Sequence, residues 1–308
     1  MGGRFDVLVV GNVGVDTNVY LPGADIDWSA EANFTDNRDY VGQAGGYASR
    51  GYARLGWRTG FLGYAGADAL GAFVRDELAG DGIDLAGLLP DPAGTSRSVN
   101  IMYRDGRRKN FYDGKSHMAL APDPALCRRL LAGTRLVHLN IPNWARTIPP
   151  LARELGAVVA CDIQDVVALD DPYRQDFIAG ADILFFSAAN HPDPRPLIAR
   201  LLERNPGQIV VAGMGAAGCA FGAGGEIGLL APPALDLPVV DTNGAGDGLA
   251  VGFLASFVLE RRPLRESLLR GQIAARHTCA QRASSSALIS AAELDGYVAG
   301  LSASGSST

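Results

Sequence analysis

The sequence has little of what marks a secreted, membrane-spanning or metal-clustering chain. Its four cysteines, Cys127, Cys161, Cys219 and Cys279, lie far apart in 308 residues, with no redox or metal-ligand spacing. They read as small buried hydrophobes in a reducing compartment. The four histidines, His117, His138, His191 and His277, share no metal spacing, and none pairs with a nucleophile, so none is assigned a catalytic role. No apolar run reaches the roughly 18 residues of a membrane span. Val7–Val10 is too short for a signal-peptide core and no cleavage pattern follows it. A cytoplasmic location away from membranes is the expectation. Lysine occurs only at 109 and 115, and the net charge of -6 argues against a general nucleic-acid binder.

What is present is a large core. Hydrophobic residues make up 47% and charged residues 19%, enough apolar content to exclude a disordered chain. The length suits one large domain, alone or with an appendage. Beyond Pro122 short apolar runs alternate with helical patterns. Strands are expected at 136–139, 158–162, 183–186 and 209–212, and helices at 125–132, 148–155, 173–179 and 196–204. Two long helices are expected at 247–259 and 264–283. Continuous apolar strands alternating with helices predict an α/β fold, a doubly wound and mostly parallel sheet with helices on both faces. The early strands at 15–21, 98–104 and 109–113 break this alternation, with Asp105–Gly106 as a hairpin turn. They predict a small separate sheet. The tail from Ser302 is small and polar and is expected to be mobile.

The most informative stretch is Asp241-Thr242-Asn243-Gly244-Ala245-Gly246-Asp247, between a short apolar strand and a helix. Free N–H groups at a helix start, aided by the helix dipole, stabilise an anion. A carboxylate beside an anion site is unfavourable unless it acts there. Asp247 therefore suits a general base that takes a hydroxyl proton while a phosphoryl group rests on the neighbouring amides. The alternative is that Asp247 caps the helix and the glycines make a tight turn.

That stretch resembles the C-terminal signature of the ribokinase-like, or PfkB, carbohydrate kinases. Gly42-Gln43-Ala44-Gly45-Gly46-Tyr47 with Ala53-Arg54-Leu55-Gly56 is similar to the family's N-terminal signature, and Leu62 to Gly71 to its continuation. The resemblance covers nearly the whole chain. It implies a small β-sheet lid of residues 16–42 and 96–115 over a large domain of residues 1–15, 43–95 and 116–308. It also implies an ATP- and Mg²⁺-dependent kinase that phosphorylates a hydroxymethyl group of a sugar. Two alternatives are a nucleoside kinase and a catalytically weak sugar- or nucleoside-binding protein. A dinucleotide-dependent oxidoreductase is a poor reading, because Gly11-Asn12-Val13-Gly14 lacks the full glycine fingerprint.

Carried onto this sequence, the resemblance makes Asp247 the base and the Gly244, Ala245 and Gly246 amides the anion hole. Asp16, Gly42, Gln43, Gly46 and Tyr47 become substrate contacts. Ser187, Asn190, Gly213, Gly215, Gly218 and Asn243 fall at the nucleotide, and Asp241 and Thr242 at a monovalent cation, K⁺. A homodimer through the lid is implied. The chain departs from the family pattern in three places. Gln43 stands for a second glycine and Tyr47 for an asparagine. Ser187-Ala188-Ala189-Asn190 replaces an Asn-x-x-Glu that organises magnesium, with Asp193 a poorly spaced substitute. Gly248–Leu249 follows the base where a small residue and phenylalanine are usual.

Three further features admit two readings each. Residues 104–115 carry five basic and two acidic side chains, suited to closing over phosphates or to protecting a sheet edge. Phe34, Tyr40, Tyr47, Phe111 and Tyr112 suit stacking on a ligand, a lid core or a dimer contact. Asp162, at a strand's carboxyl end, suits magnesium or phosphate support, or loop capping.

Overall fold

The computed structural model describes residues 4–104 and 107–305. The strands are β1 (Val7–Val10), β2 (Gly14–Tyr20), β3 (Asp36–Gly42), β4 (Thr59–Gly66), β5 (Asp84–Asp91), β6 (Ser96–Met102), β7 (Arg108–Asp113), β8 (Leu136–Leu139), β9 (Val158–Asp165), β10 (Ile183–Ser187), β11 (Ile209–Gly213), β12 (Cys219–Ala223) and β13 (Glu226–Leu230). The helices are α1 (Gln43–Arg54), α2 (Ala69–Gly80), α3 (Pro124–Leu131), α4 (Ile148–Glu154), α5 (Gln175–Gly180), α6 (Arg195–Arg204), α7 (Ala245–Leu254), α8 (Leu264–Cys279) and α9 (Ala291–Gly305).

Nine strands form one sheet in the order β13-β12-β11-β10-β9-β8-β1-β4-β5. Pairing is parallel from β5 through β11 and antiparallel at β12 and β13. The central strands carry apolar side chains on both faces, as a sheet covered twice requires, and separate cores lie on either side of it. The chain runs from β1 outward through β4 to β5, then returns to β8 on β1's other flank. The carboxyl ends of β1 and β8 therefore border a topological switch point, where ligands bind in such sheets. The other four strands make a separate sheet, in the order β3-β2-β6-β7, arching over that end. All four cysteines are buried and unpaired.

Several elements differ from the expected ones. β3 and β5 went unread because polar and glycine- or proline-containing stretches hide their alternation; β3 is exposed over its polar first half. β12 and β13 are short and glycine-bearing. α8 stops at Cys279, short of Ala283, which takes a left-handed conformation (φ 50°). Ser302 to Gly305 form the last turn of α9, whose alanine-, glycine- and serine-rich sequence lacks a clear apolar stripe. The Asp105–Gly106 turn and residues 306–308 lie outside the described residues. Among the described residues no helix is long and apolar enough to cross a membrane.

Candidate active site

The base of the lid brings Asp16 over the switch point. Asp16 sits on β2, in register with Tyr40 of β3 and Ser98 of β6, and Ser98 is in register with Tyr112 of β7. Side chains alternate faces along a strand, so these share the underside with Asn18 and Asn100 two residues on. Asp16 is buried. Its Oδ2 accepts from the Gln43 backbone N–H at 3.3 Å, while Oδ1 has no hydrogen-bond partner. Gly42 is bare where the carboxyl group lies; a Cβ there would fall 2.1 Å from the Asp16 Cγ. Burial pushes the Asp16 pKa up to about 6.

Beneath the lid, α7 begins at Gly244. Its left-handed φ of 74° suits glycine, and a Cβ there would strike the Tyr47 ring at 2.2 Å. The Ala245 N–H donates to the Thr242 carbonyl at 3.4 Å, while the first-turn N–H groups of Gly246 and Asp247 have no acceptor one turn back within the helix. Gly246 is exposed, with open space where a side chain would be. Asp247 projects from the same turn. Burial, and next the Asp162 carboxylate, raise its pKa well above the usual range, and Arg108 partly offsets them. Asp162 lies within β9, just before the irregularity in its pairing with β10, accepts from the Gln164 N–H at 2.7 Å, and is itself raised to about 6 by burial. It holds the backbone at Gln164, whose φ is 61°, and stands within electrostatic reach of Asp247.

Other expected residues fall in different places. Gly46 lies in the packing face of α1, its nearest neighbours Val41 and Val13, and not in the cleft. Tyr47 is 4% exposed, its ring beneath Gly244 and its hydroxyl bonded to Tyr40 and Ser284 at 3.0 and 3.1 Å. It supports the anion-hole turn from below and offers no hydrogen bond to an acceptor. Gln43 occupies the place of the family's second glycine with φ 60°. Its Oε1 accepts from Ser96, and its Nε2 is buried without a partner. Ser187 ends β10 in register with Gly213, whose turn to Gly218 rests near Leu249 of α7. Asn190 is exposed two residues beyond Ala188, and Asp193 is held by Arg195 at 2.8 Å. The Asn243 side chain turns to the lid, with Nδ2 on the Met102 sulfur at 3.4 Å and Oδ1 accepting from Arg108.

Asp241 is 1% exposed. Its Oδ2 accepts from Asn18 Nδ2 at 2.7 Å and the Tyr20 hydroxyl at 2.6 Å, and its Oδ1 from the Asn243 N–H at 2.8 Å. The Asn243 carbonyl accepts from Ser284 at 2.9 Å. Hydrogen-bond donors thus occupy both oxygens of Asp241, and the Thr242 carbonyl accepts from the Ala245 N–H at 3.4 Å, which argues against the monovalent cation that the resemblance implied. Among the described residues no cluster of three or more His, Cys, Asp or Glu could hold a metal ion. A cavity of about 690 Å³ opens at the lid tip, lined by Tyr20, Phe34, Met102, Arg104, Asp241 and Arg282 among others, and by neither Asp16 nor Asp247.

Three contributors escaped the sequence reading, and a fourth, Arg108, was read only as part of a basic stretch. Asn12 follows β1 and Asn140 follows β8, one on each flank of the switch point. Asn12 Nδ2 donates to the Tyr112 hydroxyl at 3.0 Å. Asn140 is 2% exposed, and neither polar atom of its amide has a partner. Ser98 is buried beside Asp16, in register with it on the neighbouring strand. Arg108 reaches from β7 to the Asn243 side chain and bears electrostatically on both Asp16 and Asp247. The available signal was positional: a polar residue directly after an apolar strand, and polar side chains at every second place in 16–20 and 96–100.

The chain matches the model of the pfkB family carbohydrate kinases over residues 6–291. It is 32% identical over 284 residues to an acarbose 7(IV)-phosphotransferase from Actinoplanes sp., covering 91% of this chain and 93% of that one. An ATP-dependent ribose-1-phosphate kinase from Halopiger xanaduensis is 29% identical over 268 residues, 82% and 85% of the two chains. Among solved structures, a microbiome-derived acarbose kinase superposes with a TM-score of 0.88 at 29% identity, over 96% of this chain and 99% of that one.

Proposed function

Because the chain belongs to the pfkB family of carbohydrate kinases and is an ATP-dependent sugar kinase, we propose that Asp247 is its base and that a neutral sugar ring binds between Asp16 and Asn140. One observation carries this reading. Asp16 Oδ1 and both polar atoms of Asn140 are buried without partners around the switch point. Such orphans cost about 1–3 kcal/mol each unless something hydrogen-bonds them. A polyhydroxylated ring supplies donors and acceptors together, matching a carboxylate and an amide.

Bound ATP supplies the γ-phosphoryl group, and Mg²⁺ would neutralise its charge. This chain's residues do the rest. Asp247 takes the proton from the acceptor hydroxyl; its raised pKa makes it a stronger base than an ordinary carboxylate. The first-turn amides of α7 steady the charge on the transferring group. Arg108 adds a positive charge from the lid, so the closed lid is the competent state. Gly213, Gly215 and Gly218, beside Ser187, would line the nucleotide. Asp162 is the carboxylate best placed to hold Mg²⁺; Asn190 and Asp193 stand apart from it, so the ion would keep phosphate and water in most of its shell.

Two further assignments belong to this reading. The outer face of the lid presents Val19, Val99 and Ile101, half-buried, and Phe111, 58% exposed, which supports a homodimer through the lid. Four buried thiols and the use of ATP support a reducing, cytoplasmic setting. A nucleoside acceptor is less favoured, because two of the aromatics that could stack on a base, Tyr40 and Tyr47, are buried beneath the cleft. The test is ATP turnover across neutral sugars, acarbose and nucleosides. Turnover confined to nucleosides would overturn the sugar assignment.

A further inference from the structure

The lid's underside is longer than one sugar ring. Asp16, Ser98 and Tyr112 stand in one row across β2, β6 and β7. Two strand spacings separate Asp16 from Tyr112, roughly 10 Å, more than the width of a pyranose. β7 is the edge strand of its sheet and is exposed along its whole length, so the row opens to solvent on the Tyr112 side.

Tyr112 is fixed there although 45% exposed. Its hydroxyl is held by Asn12, and its ring leans on His117 with centroids 5.6 Å apart. It lies within electrostatic reach of both Asp16 and Tyr173. Beyond it the body supplies a ledge. The Tyr173 hydroxyl donates to the Ile141 carbonyl at 2.6 Å and touches the Met118 sulfur at 3.7 Å. Met118 is 50% exposed, and its carbonyl accepts from Asn143 Nδ2 at 3.1 Å. A line of aromatic and thioether surface, held by hydrogen bonds yet open to water, thus continues outward from the acceptor cleft. Aromatic faces with a few fixed polar groups are how proteins hold ring-shaped ligands.

We infer that Tyr112, with Met118 and Tyr173 beyond it, is a binding subsite for the second ring of the acceptor, so that the preferred substrate class is a glycoside or oligosaccharide whose terminal hydroxymethyl-bearing ring enters beneath Asp16. This rests on the sugar-kinase reading and adds to it the length of the substrate. The orphaned groups at Asp16 and Asn140 hold the first ring. The Tyr112 face covers the second, which leaves the cleft past β7.

The experiment compares methyl glucoside, maltose, maltotriose and acarbose as acceptors for the full chain. Their affinities are read in parallel by calorimetry on Asp247→Asn, which separates binding from turnover. Affinity should rise at least tenfold from the one-ring probe to the best longer probe. In Tyr112→Ala that ratio should fall to about two or below, and Tyr112→Phe, which keeps the ring, should retain most of it. Equal affinity for short and long probes, or an unchanged ratio in Tyr112→Ala, overturns the subsite, even where phosphorylation of single rings upholds the kinase. Binding of long probes with the expected ratio but no phosphoryl transfer upholds the subsite and removes the catalytic reading instead.

Discussion

Two polar clusters lie under the same lid, and they are built to opposite rules. At the seam, Asp241, Asn18, Tyr20, Tyr40, Asn100 and Ser284 form a buried network in which each side chain finds a partner. At the cleft, a few residues away along the same strand, Asp16 and Asn140 are about as buried but keep atoms with nothing to bond. A satisfied buried network fastens parts of a protein together, whereas an unsatisfied one is unfavourable until something else completes it. Both clusters hold an aspartate from a recognisable motif. Only the company each keeps tells fastening from binding.

The sharpest test of this contrast is the base. Asp247→Asn keeps the size of the side chain and loses the proton acceptor, so kcat should fall about 10²–10⁴-fold while the melting temperature barely moves. In the parent, kcat should rise with pH along an acid limb lying above the ordinary carboxylate range, because burial holds the Asp247 pKa up. Turnover of the variant within threefold of the parent would return Asp247 to a capping role.

Asp16→Asn should raise the acceptor KM at least tenfold and yet stabilise the protein at neutral pH. The Asp16 carboxyl group has a folded pKa of about 6 against 3.8 unperturbed. A raised folded pKa favours the protonated native state, so its contribution is present below about pH 4 and is lost as pH rises through 6. The asparagine escapes that loss, about 3 kcal/mol at 1.36 kcal/mol per pKa unit. Melting curves of the pair should diverge between pH 4 and pH 7; curves that stay parallel would mean that Asp16 is not an unfavourable buried charge.

At the seam the sign reverses. Asp241→Ala leaves Asn18 Nδ2 and the Tyr20 hydroxyl short of an acceptor and should cost about 1–3 kcal/mol, read by denaturant titration. A neutral or stabilising result would make the two clusters alike. The smallest effect concerns the cation. Replacing K⁺ by Na⁺ at constant ionic strength should change kcat/KM less than twofold, since protein donors already occupy Asp241. A tenfold K⁺ activation would show that the seam opens to admit an ion.

The seam and the cleft also differ in how far they can be read in advance. The body was legible because β1, β8, β10 and β11 are continuous apolar runs between helices. The helix start on which the proposed base and anion hole stand was legible because Gly244-Ala245-Gly246-Asp247 packs several unusual demands into four adjacent residues. Asn140 and Asn12 were not, since each is one ordinary amide made special by a strand neighbour more than a hundred positions away. Tyr47 and Gly46 were misread for the related reason that a motif marks a segment and not the direction of each side chain. Arg108 was visible only as part of a basic stretch; the register of β7 turns it inward while Lys109, its neighbour, faces out.

Strand β3 ends at Gly42 and helix α1 starts at Gln43, so at this one of the four chain crossings between lid and body no loop intervenes. Gln43 is held left-handed, a conformation that costs a side-chain-bearing residue roughly 1–2 kcal/mol. The closed arrangement therefore rests on a compressed joint. An energy of that size is worth a factor of about 5–30 in population, so Gln43→Gly, which removes that cost at this crossing, should favour the arrangement described here over any in which residue 43 leaves the left-handed region. Hydrogen bonds from a sugar to Asp16 would act against the same cost, since Asp16 already holds the Gln43 N–H.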